Sequence, residues 1–303
     1  MGSGALEVSE LVESWREQLR PLRARMFPRQ VLIELHEDSL RGQVLVDDRP
    51  QPVSLDVPLP PLTIEKGVPL EKESLGDLIG DLLVRDGLID HFVLAALPPA
   101  AVQWRVLVWP FEDWPDDPAS NLRQIAPPLN LPFDLENAYL DLQPLPGDQS
   151  QMLLAAAPKP LVDGWIDVFS LAGVQLERLA PAQSCQLAAI ASLMAATPAD
   201  QLLVLVDPDP LGPCRLLLIR GGVPVFERSV ASEGSALVND LVRSVDFYRR
   251  QDTAVRGLRL LLSRPLAEQP QLESRLSVSA EQLSSEPFGS LVLQGLAIPE
   301  VMP

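Results

Sequence analysis

Lysine is nearly missing from this chain of 303 residues, with only Lys66, Lys72 and Lys159 present. The formal net charge is −17, so there is no broad cationic surface of the kind that DNA, RNA or anionic lipid requires, and nucleic acid is excluded as a partner. Histidine is limited to His36 and His91, and cysteine to Cys185 and Cys214, without CxxC spacing. That inventory provides no zinc set, so no metal is expected, and both cysteines read as buried thiols in apolar contexts. Neither histidine has a serine or cysteine partner in a recognisable arrangement, and GxSxG, P-loop and GxGxxG patterns are all absent. No apolar run approaches the ~20 residues of a membrane-spanning helix, and the first residues lack the basic-then-apolar layout of a signal peptide. A globular cytoplasmic protein is the expectation.

The apolar content is high, at 47%, against 21% charged residues, which is enough to bury a large core divided into two or more lobes. The 31 prolines are separated by apolar runs, so they punctuate short elements instead of marking a disordered tract.

Periodicity places an amphipathic helix in residues 1–30, with Val8, Leu11, Val12, Trp15, Leu19 and Leu22 on one stripe, acidic at its start and basic at its end. Such a helix either packs on the body or docks a partner or a membrane surface. A β-hairpin follows from Val31–Leu35 and Gly42–Asp47 around His36, then a helix over Glu71–Val84 and a buried strand over His91–Leu97. Strands are expected at Val102–Val108, Ala138–Gln143, Gln151–Ala157 and Val174–Leu179, with helices at Ala119–Pro127, Pro160–Leu171 and Gln183–Met194.

The second half opens on a β-meander from Gln201 through Arg228, with an unusual first turn, Asp207-Pro208-Asp209-Pro210, and a second turn at Gly221-Gly222. Helices at Ser235–Gln251, Gln269–Leu276 and Phe288–Leu296 and a strand at Arg259–Leu262 complete it. Hairpin, helix and strand recur in the same order in both halves, which predicts a pseudo-duplicated α/β fold.

Several ordered stretches carry a family resemblance: Asp90–Pro98 followed by Val102–Pro110, Leu131–Leu142, Met152–Ala157, Ala172-Gly173-Val174, Ser244–Tyr248 and Gly295-Leu296-Ala297. Spanning about Val31 to Ala297, the series resembles the PilM family, actin-like proteins of type IV pilus assembly, near in fold to FtsA and the type II secretion GspL proteins. The resemblance implies an actin-like, ribonuclease H-like fold of duplicated α/β lobes with an inserted small α+β subdomain. It divides the chain into residues 31–99 as the first subdomain, 100–182 as the insertion and 183–303 as the second lobe. It also implies a cytoplasmic scaffold that receives the tail of a PilN-like inner-membrane protein, apolar with basic character, alongside other pilus assembly proteins and a possible homo-oligomer.

In that fold three loops hold nucleotide and need glycine so that backbone can approach phosphate. Here the first is Glu34-Leu35-His36-Glu37-Asp38, the second contains Asp207 and Asp209, and the third is Leu262-Ser263-Arg264-Pro265. None has glycine, and the prolines of the second delete N–H donors. A carboxylate beside a phosphate costs about 4 kcal/mol at 4 Å and an effective dielectric of 20. Concordant losses predict vestigial loops (Glu34, Glu37, Asp38, Asp207, Asp209, Ser263), no bound cofactor and no enzyme, a pseudo-ATPase. Glu37, Asp38, Asp207 and Asp209 otherwise read as solvated turn residues, two of which could bind metal weakly, and an actin-like ATPase with divergent loops, or a GspL-like or FtsA-like adaptor, is the alternative. For partner binding the candidates are Trp104, Trp109, Phe111 and Trp114, with Trp104 also readable as core and Trp109 and Trp114 as exposed anchors.

Overall fold

A computed structural model describes residues 29–47, 49–109, 121–122, 131–144, 151–209 and 213–298. The expected N-terminal helix and nearly all of the expected helix at Ala119–Pro127 lie outside these residues.

The chain begins with a three-stranded meander, β1 (Arg29–Leu35), β2 (Ser39–Val46) and β3 (Arg49–Pro58), then a minimal hairpin of β4 (Ile64–Glu65) and β5 (Val68–Pro69). Helix α1 (Lys72–Arg85) leads to β6 (Phe92–Leu97), and three antiparallel strands follow, β7 (Gln103–Val108), β8 (Ala138–Pro144) and β9 (Gln151–Pro158). Next come α2 (Lys159–Leu171), β10 (Gln175–Pro181), α3 (Ala182–Ala189) and α4 (Ala191–Ala196). A second meander, β11 (Gln201–Asp207), β12 (Cys214–Arg220) and β13 (Val223–Val230), opens the other half. It continues through α5 (Gly234–Gln251), β14 (Gly257–Leu262), α6 (Gln269–Leu276), β15 (Ala280–Gln282) and α7 (Leu291–Leu296).

The two large sheets repeat one topology. The first runs β3-β2-β1-β6-β10 and the second β13-β12-β11-β14-β15. In each, the meander pairs antiparallel and the last two strands add in parallel. Parallel neighbours need crossover connections, which α1 and α5 provide.

Strand alternation sorts the side chains into layers. In the first sheet Val31, Ile33, Leu35, Val93 and Ala95 face the α1 and α2 side with Leu75, Ile79, Trp165 and Phe169, while Leu32, Leu94 and Ala96 face α3 and α7. In the second, Leu202, Val204 and Val206 pack beneath α5 and α6, and Leu203 and Leu205 turn back toward α3, α4 and α7. Helices α3 and α7 therefore lie between the sheets. They cross so closely that a Cβ on Gly295 would sit 1.7 Å from the Cys185 carbonyl oxygen, which only glycine avoids.

The insertion is smaller than residues 100–182. Strand β10 is the outer strand of the first sheet, and α2 buries Trp165 in the first lobe's core, its indole N–H donating to the Gly67 carbonyl at 2.8 Å. Among the described residues of 100–182, β7, β9 and β8 form a sheet of their own. The expected helix over Gln183–Met194 is two helices meeting at Ile190, which is buried against the second sheet. The turn Gly221-Gly222 has φ of 58° and 81°, the left-handed pair that a two-residue hairpin needs.

Candidate functional site

The cleft between the sheets gathers the ends of β1 and β11, the loop after β14, the interlobe helix α3 and the cap of α7. Because Val31, Ile33 and Leu35 point to α1 and α2, Glu34 must point the other way, toward α7. A carboxylate there is buried, with 5% of its surface exposed, so it must be hydrogen-bonded or neutralised. Ser290 Oγ donates to Glu34 Oε2 at 2.5 Å, and the same hydroxyl caps α7 by accepting from Leu293 N at 3.0 Å.

Glu34 Oε1 lies 3.0 Å from His36 Nε2, and His36 Nδ1 lies 3.2 Å from Asp209 Oδ2. A ring with a carboxylate on each nitrogen is held as imidazolium, since both nitrogens then donate. Burial opposes that charge, but the hydrogen bonds to Asp209 and Glu34 outweigh it and push the His36 pKa up to about 9. Burial likewise works against the Glu34 carboxylate, yet the hydrogen bond and charge of His36 carry its pKa below the ordinary value. Asp209 Oδ1 is also 3.5 Å from Arg41 Nη2 on β2. Two carboxylates and two cations thus form a neutral chain that ties the first lobe to the second.

Asp207, the last residue of β11, turns to the same cleft. Its two oxygens accept from Gln186 Nε2 on α3 and Ser263 Oγ after β14. Burial raises its pKa despite the opposing Arg215 charge and the Ser263 hydrogen bond. Two backbone donors of these loops are committed as well. His36 N donates to Ser39 O at 2.9 Å, and Ser263 N to Val206 O at 3.0 Å.

The structure links Glu34 to Asp209 through His36, and Asp207 to Ser263 in a second cluster, so Asp207 and Asp209 are paired within the cleft and are not the solvated turn residues of the plainer reading. Glu37 and Asp38 are separate from it, exposed at the tip of the β1–β2 turn. His36, Gln186, Arg41 and Ser290 were missed by sequence reasoning. Ser290 offered one signal, a serine placed directly before an apolar helical run. Among the described residues no group of three or more His, Cys, Asp and Glu side chains could hold a metal ion.

The candidate anchors separate in a different way. Trp109 is 6% exposed and packs with Leu107, Leu122 and Leu154 in the core of the insertion, which corrects its reading as an exposed anchor. An indole buried among these side chains has no surface left to offer a partner. Trp104 is half-buried against Ile190, Leu203 and Leu205, joining the insertion to the second lobe. Phe111 and Trp114 lie outside the described residues.

Beside Trp104 runs a groove of about 830 Å³ between the insertion and the second lobe, bordered by β7 and β13. Among the described residues no helix is long and apolar enough to cross a membrane.

No protein-family model matches the sequence, and no curated protein matches it significantly. Solved structures do. A chain of the PilM-PilN type IV pilus biogenesis complex superposes with a TM-score of 0.65 at 19% identity, covering 88% of this chain and 97% of that one. A Bacteroides thetaiotaomicron protein with an actin-like ATPase fold and unknown function superposes at 0.53 with 9% identity, covering 90% and 96%. With the repeated sheet order, these likenesses establish that the chain has an actin-like α/β fold.

Proposed function

We propose that this protein is a non-catalytic scaffold of a pilus- or secretion-type machine, an actin-like pseudo-ATPase that captures the tail of an inner-membrane protein. It works in the cytoplasm and reaches the membrane through that partner. The likeness in fold to a chain of a PilM-PilN complex supports the assignment. The observation that carries it is the cleft network. Where an actin-like ATPase would need open backbone donors and surplus positive charge, Glu34, His36, Arg41 and Asp209 neutralise one another, and Asp207 is satisfied by Gln186 and Ser263. A phosphate entering there would have to break buried ion pairs, each costly to leave half-made.

The tail then binds beside the insertion, where Trp104 borders the groove and packs against the inner face of the second sheet. The test is co-precipitation. The immobilised chain, incubated with detergent-solubilised membranes of its source organism, should retain an inner-membrane pilus or secretion protein with a short cytoplasmic tail, and Trp104→Ala should retain less. Recovery of no such protein would contradict the scaffold reading.

One observation favours a working ATPase with divergent loops: Asp207 is an acidic side chain at the end of β11 inside the cleft. Binding of Mg-ATP separates the two readings.

A further inference from the structure

The groove between β7 and β13 has three properties that the scaffold reading does not use. The first is charge. Its lining includes Arg105, Arg215, Arg220 and Arg228 against a single carboxylate, Glu227, in a chain whose net charge is −17. Arg215 is paired with Glu227 at 2.6 Å and Arg220 with Asp252 at 2.7 Å. Among the described residues Arg105 and Arg228 have no carboxylate partner and donate to neutral acceptors, Arg105 to the Trp104 carbonyl and Arg228 to Ser229 O and Ser244 Oγ.

The second property is edge geometry. Successive side chains of a strand point to opposite faces, so a groove lined by consecutive residues is bordered by a strand's edge and not by one of its faces. Gln103 through Val106 of β7 and Val223 through Ser229 of β13 line it consecutively. Within the described sheets β7 pairs only with β9, and β13 only with β12. Two strand edges thus face one cavity, with Val106 and Val225 exposed between them.

The third property is an unsatisfied acceptor. Gln183, only 3% exposed, lines the groove and donates its Nε2 to Pro99 O at 2.9 Å, while its buried Oε1 has no hydrogen-bond partner among the described residues. A buried amide oxygen left bare is costly, and the donor that suits it is an N–H entering the groove.

We infer that this groove binds an extended acidic peptide segment of a partner protein, added as a strand along the β7 or β13 edge. Backbone N–H groups of the segment supply the edge and Gln183 Oε1, its carboxylates meet Arg105 and Arg228, and its apolar side chains cover Val106 and Val225. The local charge is opposite to the net charge, so the occupant is acidic and not the basic tail that the family resemblance implies. The inference rests on the reading of the chain as a binding scaffold.

The test uses the full chain and a fluorescein-labelled decapeptide of alternating Glu and Val, followed by fluorescence anisotropy. The acidic peptide should bind and weaken as salt is raised, and its Lys-Val counterpart should not. Arg105→Glu with Arg228→Glu should weaken binding by at least about tenfold, and Arg105→Gln with Arg228→Gln by less, because charge complementarity governs the encounter. Methylation of alternate backbone nitrogens of the peptide should abolish binding, since strand addition needs those donors. Equal binding of the Lys peptide, or undiminished binding to the Glu variant, overturns the inference; undiminished binding of the methylated peptide overturns strand addition. If the acidic peptide fails while membrane proteins are still co-precipitated, this inference falls and the scaffold reading stands. If the peptide binds and no membrane protein is recovered, the reverse holds.

Discussion

The interlobe cleft and the β7–β13 groove are both lined by charged residues, yet they differ in what those residues still lack. In the cleft Glu34 and Asp209 flank His36, Arg41 completes the chain, and Asp207 is hydrogen-bonded by Gln186 and Ser263. In the groove two arginines find only neutral acceptors among the described residues, and Gln183 Oε1 finds none there. A closed network holds lobes together, while an open one leaves interactions for a ligand to complete. On the proposed reading the fold separates cohesion from recognition, and substitutions in the two places should have opposite signatures.

The largest effect should come from His36→Ala, which leaves Glu34 and Asp209 buried without their shared cation. Loss of a buried pair's partner costs about 3–5 kcal/mol, readable as a lower urea midpoint. A loss below about 1 kcal/mol would mean that the network does not hold the lobes, as for an exposed pair.

A pH dependence of known sign follows. The unfolded histidine titrates near 6.5 and the folded one at about 9, so its contribution is fully present below 6.5 and is lost as pH rises through about 9. The interval corresponds to roughly 3 kcal/mol. The stability gap between wild type and His36→Gln should narrow across that window, and a gap that widens would contradict the imidazolium assignment. For Glu34 the sign is opposite: its folded pKa is lowered, so its contribution holds above the unfolded value and fades as pH falls through the folded one.

Ser290→Ala removes both the hydrogen bond to Glu34 and the cap of α7. Hydrogen bonds to charged groups are worth about 1.5–3 kcal/mol, so a loss near 2 kcal/mol is expected on urea denaturation. The smallest effect belongs to the groove. Arg105→Gln with Arg228→Gln should change stability by no more than about 0.5 kcal/mol, as surface substitutions do, while weakening the acidic peptide. A larger destabilisation would make those arginines part of the cohesion and erase the contrast.

Much of this was legible in the sequence. Periodicity placed α6 over Gln269–Leu276, and the meander around Gly221-Gly222 was evident because two-residue turns and apolar alternation are local signals. Strand β3 was not, since Pro50, Pro52 and Pro58 argue against a strand, and only its edge position excuses them. Strand β15 is short, polar and at an edge, and it joins the sheet through pairing with β14. The insertion was drawn too large because β10 returns to the first sheet, a long-range pairing that no local pattern marks. In the cleft, the glycine-free loops pointed to Glu34, Asp207, Asp209 and Ser263. Gln186 and Ser290, which satisfy Asp207 and Glu34, come from separated parts of the chain and were invisible until the fold brought them together, while His36 lay within the first loop and only its pairing with Asp209 needed the fold.

The central claim, that the cleft is closed by its own side chains, is tested most directly by the thermal unfolding midpoint with and without millimolar Mg-ATP. A ligand present at about 100 times its Kd adds about 2.7 kcal/mol to the folded state, which raises the midpoint by several degrees. The account predicts no shift for the wild-type protein. A reproducible rise with Mg-ATP, absent with Mg alone, would show an open nucleotide site and contradict it.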